Sequence, residues 1–275
     1  MNPPRFRTLL LEALRHFQEN GFTSASDLTD WLLTLRYALE KELPTDEASR
    51  KEIAAVLQRV YGRDLRSGIV QRVPGVSRYT IDRIAPQLRA ELDRRIFASA
   101  DLIRLNKKAA VEKTLQRFSG WTTSQPPGGS KTPVREVAAE ILKPSRQLKF
   151  ERRRVAIDQG HKLSASISHV VAIGSGAIGC IWHDRGEHDR GYDARPEHLA
   201  RSGKLFLLSD SWAIDQGLVK RGSAPYYDDL EDQAAVLPYC SCYVTWLTAP
   251  RDLPAELLTA KGRAFVEGRP MLEAV

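Results

Sequence analysis

RVAIDQGHKLSASIS, residues 154–168, places Val155, Leu163 and Ile167 four or eight residues apart, on one face of a helix. The strings CIWHD (180–184), KLFLL (204–208) and YCSCYVTWL (239–247) behave differently, since each is short and rich in β-branched or aromatic residues. Together they predict a long helix from Arg146 to about Ile173, capped by Ser145, with Leu148, Val155, Leu163, Ile167 and Val170 facing inward. Strands are predicted at 178–182, 204–208 and 239–247. One long helix packed on a few strands is a small α+β unit. Gly174-Ser175-Gly176-Ala177 between helix and first strand lacks the strand-before, helix-after setting of a dinucleotide loop and reads as a turn.

Upstream of this unit the apolar period is helical throughout. Phe6, Leu9, Leu10, Ala13, Leu14 and Phe17 form one stripe that ends at Asn20-Gly21, and Leu28, Trp31, Leu32, Leu35 and Leu39 form a second that Pro44 stops. A third helix is expected from Glu47 to Tyr61, closed by Gly62. From Thr80 to Phe118 the pattern stays helical, with Ser99 and Asp101 placed to restart the helix after a bend. TTSQPPGGSKTP, residues 122–133, is the clearest break, where Pro, Gly, Ser and Thr replace apolar residues. A short helix through Val137 and Ile141, closed by Pro144, leads back to the long one. The predicted organisation is a basic helical domain over 1–121, a linker over 122–133, the α+β domain over 134–250 and a tail over 251–275.

Charge divides along the same line. Residues 1–160 hold 29 Lys+Arg against 19 Asp+Glu, and residues 161–275 hold 12 against 15, so the halves carry +10 and −3. A basic half favours a polyanion such as DNA or an acidic protein surface, and equally suits a solvated Arg-rich helical surface. GIVQRVPGVSRYTIDRI, residues 68–84, resembles a helix-hairpin-helix signature, in which backbone N–H groups between two helices meet a DNA phosphate. Arg72, Gly75 and Arg78 would carry that contact, with Lys107 and Lys108 on the basic run that follows. Pro74-Gly75 is also a generic turn, and Ser77 stands where the motif has a second glycine. No run reaches the roughly 18 apolar residues of a membrane helix. MNPPRFRTLLLEAL lacks a small-residue cleavage site, so a cytosolic product without membrane contact is expected.

Four of the six His and all three Cys lie between Lys162 and Val244, so chemistry is expected there. Cys240, Cys242, His198 and His183 are the atoms of a tetrahedral Zn²⁺ site, although Cys-x-Cys is not the spacing of a finger or ribbon. Buried structural thiols beside a hydrogen-bonded histidine account for the same residues without a cofactor. A thiol or zinc enzyme would need His198 within reach of a Cys240 or Cys242 nucleophile. The acidic cluster Asp228, Asp229, Glu231 and Asp232 lacks the spacing of a calcium loop and reads as a solvated loop. Asp158 and Gln159 lie on a helix otherwise patterned for burial, so if strands cover them they must satisfy backbone groups there and lock helix to sheet.

The order of these elements resembles the Mu-type head morphogenesis family, the minor head proteins of tailed phages. The matching residues are Ala156, Asp158, Gln159 and Lys162 on the helix, Trp182 on a strand, then Arg195 and His198, then Gly203, Lys204 and Phe206, then Pro238, Cys240 and Cys242. The likeness covers about Leu102 to Leu247, and departs from the family in the longer HDRGEHDRGYDA before Arg195 and in Ser241 between the cysteines. It implies a non-enzymatic virion protein, assembled in the host cytoplasm into the capsid interior or portal vertex, with portal protein, other capsid proteins and genomic DNA as partners. It also requires the Asp158 helix, the Trp182 strand and the twin thiols to form one compact unit with Arg195 and His198 beside the sulfurs.

Overall fold

The computed structural model describes residues 5–68, 78–184 and 195–268. The chain is mostly helical with one small antiparallel sheet in its C-terminal part, the α+β class expected. It forms two compact units, one of residues 1–54 and 97–156, the other of residues 55–96 and 157–275. This division does not follow the predicted boundaries at 121 and 134, because long helices contribute one end to each unit.

In the first unit, α1 (Phe6–Asn20) buries Phe6, Leu10, Ala13, Leu14 and Phe17, the face its sequence predicts, and Gly21 ends it with a positive φ of 70°. The α2 helix (Ala25–Glu42) starts where the Ser24 hydroxyl accepts a hydrogen bond from the Asp27 N–H. Ser24→Ala is expected to lower stability by about 1 kcal/mol, read as a shift in the denaturation midpoint, because an N-terminal N–H loses its acceptor. Both helices share a core with Val111, Leu115 and Phe118, and with Ala138, Ile141 and Leu142 around α5 (Val134–Ile141). The stretch expected as a linker belongs to this unit. Ser130 N–H donates to the Gln18 carbonyl over 2.9 Å and the Gln18 amide donates to the Thr132 carbonyl over 2.8 Å, while a Cβ at Gly129 would collide with that same Gln18 carbonyl.

Three helices differ from expectation. The α3 helix (Asp46–Arg63) passes through Gly62 and widens into a π-helical turn at Asp64–Gly68. The α4 helix (Arg78–Thr123) runs 46 residues without the expected restart at Ser99. Ser99 is fully buried on the same stripe as Leu92, Ile96 and Ile103, so the packed face continues through it and no bend is needed. Pro144 lies in the first turn of α6 (Lys143–Gly174), where its missing N–H costs no hydrogen bond, and so begins this helix as well as following α5.

The second unit is built on a three-stranded antiparallel sheet, β1 (Gly179–His183), β2 (Leu205–Leu207) and β3 (Tyr243–Leu247), in the order β2-β1-β3. The register pairs Cys180 with Phe206 and Trp246, and Trp182 with Val244. Alternation then separates two faces. Cys180, Trp182, Phe206, Val244 and Trp246 share the face turned to α6, where the Trp246 indole donates to the Ser168 hydroxyl over 3.1 Å. On α6 Leu148, Val155, Leu163 and Ile167 are buried as expected, and Val171 is buried in place of the expected Val170.

The opposite face buries Leu207 and Leu247 against Ile214 of α8 (Trp212–Asp215), Val219, Leu253 and Leu258. Residues 251–268 are therefore part of the core and not a tail: they carry 3-10 turns at Pro250–Asp252 and Ala255–Leu257 and the α9 helix (Ala260–Val266). At Gly262 a Cβ would collide with the Leu218 carbonyl, so only glycine permits this approach.

Candidate functional site

The twin thiols are carried by the irregular chain that feeds β3, not by the strand itself, which begins at Tyr243. Before them the backbone is left-handed at two non-glycine residues, Ala235 with φ 65° and Tyr239 with φ 61°. Such residues persist only where their surroundings hold them. Here Asp158 Oδ1 accepts the Tyr239 N–H over 2.6 Å, and the Arg195 guanidinium donates to the Pro238 carbonyl over 3.2 Å. Asp158 thus locks the helix to the thiol-bearing turn, as its burial requires. Its second oxygen meets Lys162 at 3.2 Å and the Gln159 amide at 3.2 Å. Gln159 differs from expectation, bonding the Asp158 and Arg95 side chains and not a backbone group.

His198 lies on α7 (Pro196–Arg201), a short helix begun by Pro196. Its Nδ1 is 3.4 Å from Cys240 Sγ and 3.5 Å from Cys242 Sγ, and its Nε2 is 2.6 Å from Asp232 Oδ2. Arg201, one turn on from His198, donates to the other Asp232 oxygen over 2.7 Å and stacks its guanidinium 5.2 Å from the Trp182 ring centre. The Trp182 ring also meets His198 edge-on at 5.2 Å. Gly203 and Lys204 close the circle through backbone bonds to Trp182, of 2.8 Å to its carbonyl and 3.0 Å from its N–H, while the Lys204 side chain is exposed. The separated strings that order the sequence therefore meet at one place in the second unit.

Electrostatics follow from this packing. Burial pushes the Asp232 carboxyl up, but hydrogen bonds from His198 and Arg201 outweigh it and hold Asp232 below its ordinary range. The thiol hydrogen bond between Cys242 and Cys240 drives them apart, Cys240 down and Cys242 up, so the pair keeps one proton more readily than two or none. Burial raises the Cys180 thiol, which lies mid-strand and joins no metal-ligating cluster among the described residues.

No protein-family model matches the chain, and no curated protein and no solved structure does either.

His183 does not join the sulfurs. Alternation along β1 puts it on the face opposite Trp182, where its ring stacks on Tyr243 at 4.9 Å. Asp232 was read as one of a solvated acidic cluster, and nothing local marks it as the partner of a histidine 34 residues away. Arg201 carries a clearer signal, lying one turn after His198 on the same short helix. Of the residues considered for DNA contact, Arg72 and Gly75 lie outside the described residues, and Arg78 begins α4. Lys107 is engaged by Asp46 and the Pro44 carbonyl, whereas Lys108 is exposed.

A cavity of about 340 Å³ opens beside the same helix, lined by Glu91, Arg95, Lys162, Ser166, His169 and Trp246. The His169 ring packs edge-on to Trp246 at 5.3 Å. Burial lowers its pKa from 6.5, with Asp228 opposing. A histidine whose folded value is depressed contributes stability that is complete above about 6.5 and is lost as pH falls through the folded value. Thermal midpoints are expected to fall on acidification from neutral pH. His169→Phe, which keeps a ring against Trp246, should flatten this limb, and an unchanged slope would remove His169 as its cause.

Proposed function

We propose that the chain is a minor head protein of a tailed phage, a non-enzymatic component incorporated near the portal vertex and acting in head assembly, DNA packaging or DNA ejection. The observation that supports this reading most is the convergence of the family-like strings: Asp158 on Tyr239, Arg195 on Pro238, Trp182 on His198, and His198 on Cys240 and Cys242. Elements that match a family only by their order along the chain have no reason to meet unless that order encodes a shared packing unit. These contacts tie helix, sheet and thiol-bearing turn together within the second unit, which suits attachment. The basic first 160 residues supply the charge for an acidic partner surface or packaged DNA.

Co-expression with the portal protein of the same phage, followed by affinity purification, is the direct test. The chain is expected to co-purify with portal protein and to be present in few copies in mature particles. Absence from both would defeat the proposal.

A further inference from the structure

We infer that His198, Cys240 and Cys242 bind a Zn²⁺ ion, filling three of its four tetrahedral positions. The inference stands apart from the head-protein reading, since it rests on donor geometry alone. Zn–S bonds of about 2.3 Å and Zn–N bonds of about 2.0 Å at tetrahedral angles require N···S separations of about 3.5 Å. The separations here are 3.4 and 3.5 Å, and all three donor atoms lie within 4.8 Å of one another. Both N···S separations therefore already suit an ion held between the three donors.

Hydrogen-bond accounting points the same way. The Asp232 carboxylate accepts a hydrogen bond from the His198 Nε2–H, and the neutral imidazole then presents the Nδ1 lone pair to two sulfurs. One lone pair accepts only one S–H, so a hydrogen bond to Nδ1 engages the two sulfurs one at a time. A cation at the centre uses all three donors. The chain Arg201–Asp232–His198 is also the carboxylate–histidine arrangement that orients zinc ligands and raises their basicity.

Charge and donor type identify the ion. His198, Cys240 and Cys242 are 1%, 2% and 5% exposed, so an occupied site must be close to neutral. Two thiolates, a neutral imidazole and Zn²⁺ sum to zero, with the thiol protons released to solvent on binding. Two sulfurs and one imidazole nitrogen select zinc over magnesium or calcium, which take oxygen. A Cys240–Cys242 disulfide is disfavoured because two residues so close along the chain strain the bridge. Among the described residues no further His, Cys, Asp or Glu joins the cluster.

The full chain, purified under reducing conditions without chelator, is expected to carry about one zinc per molecule by elemental analysis. Metal-free protein titrated with Co²⁺ should develop a thiolate-to-cobalt absorption band that Zn²⁺ abolishes. The band should be lost in the Cys240→Ser/Cys242→Ser double variant and kept in Cys180→Ala. Asp232→Asn, which leaves all three donors in place, should weaken Zn²⁺ binding about 10- to 100-fold. Circular dichroism identifies variants that retain the fold, and Asp232→Asn with Cys180→Ala carries the comparison if the double variant does not. Absence of the band in reduced, folded wild-type protein would overturn the inference, as would a band that survives loss of both cysteines.

Discussion

Asp158→Ala is expected to lower the unfolding free energy by about 3–5 kcal/mol, the range for removing one partner of a buried ion pair. Lys162 would be left nearly buried without its counter-charge, and the Tyr239 N–H would lose the carboxylate that accepts it at 2.6 Å. The second loss matters as much as the first, because Tyr239 adopts a left-handed backbone that Asp158 helps to hold. Asp158→Asn separates the two effects: an amide oxygen can still accept from Tyr239, while the charge is gone. Urea denaturation of the three proteins provides the measurement. A loss in the alanine variant of under about 1 kcal/mol, typical of an exposed pair, would show that the turn is held by other contacts.

Trp182→Ala should cost a comparable amount, about 3–5 kcal/mol, through the cavity it leaves. The ring is fully buried and touches three partners, His198 at 5.2 Å, Arg201 at 5.2 Å and Phe206 at 6.3 Å. Its removal opens space directly behind His198, so the imidazole loses the wall that sets its tilt toward the sulfurs. Trp182→Phe retains an aromatic wall and is expected to cost clearly less. Equal losses in the two variants would mean that the indole acts through its N–H and not through its volume.

The helical periods and the α+β class were legible because amphipathic stripes such as Phe6 to Phe17 are local. Burial of Asp158 followed from a polar residue on an apolar helix face, and its need for a backbone partner followed from that burial, although the partner is Tyr239 in the turn before β3 and not the sheet itself. The approach of His198 to the thiols was legible only as an ordered set of strings, since the residues lie more than 40 positions apart. Asp232 was hidden for a related reason: an acidic run looks the same whether one member faces solvent or a buried imidazole. Aromatic and β-branched content marks a strand without marking where ladder pairing stops, which is why the thiols were assigned to a strand that begins one residue later. The unit boundaries were obscured because the composition break at 122–133 is a docked loop, whereas the true divisions fall inside continuous helices.

All three sulfhydryls are shut away from solvent, one mid-sheet and two beside the pinned turn. Alkylation of metal-free protein therefore becomes a clock for local opening, with no denaturant required. If the turn breathes independently of the sheet, Cys240 and Cys242 will be labelled while Cys180 stays silent; a single shared rate would mean that this half of the molecule opens only as a whole.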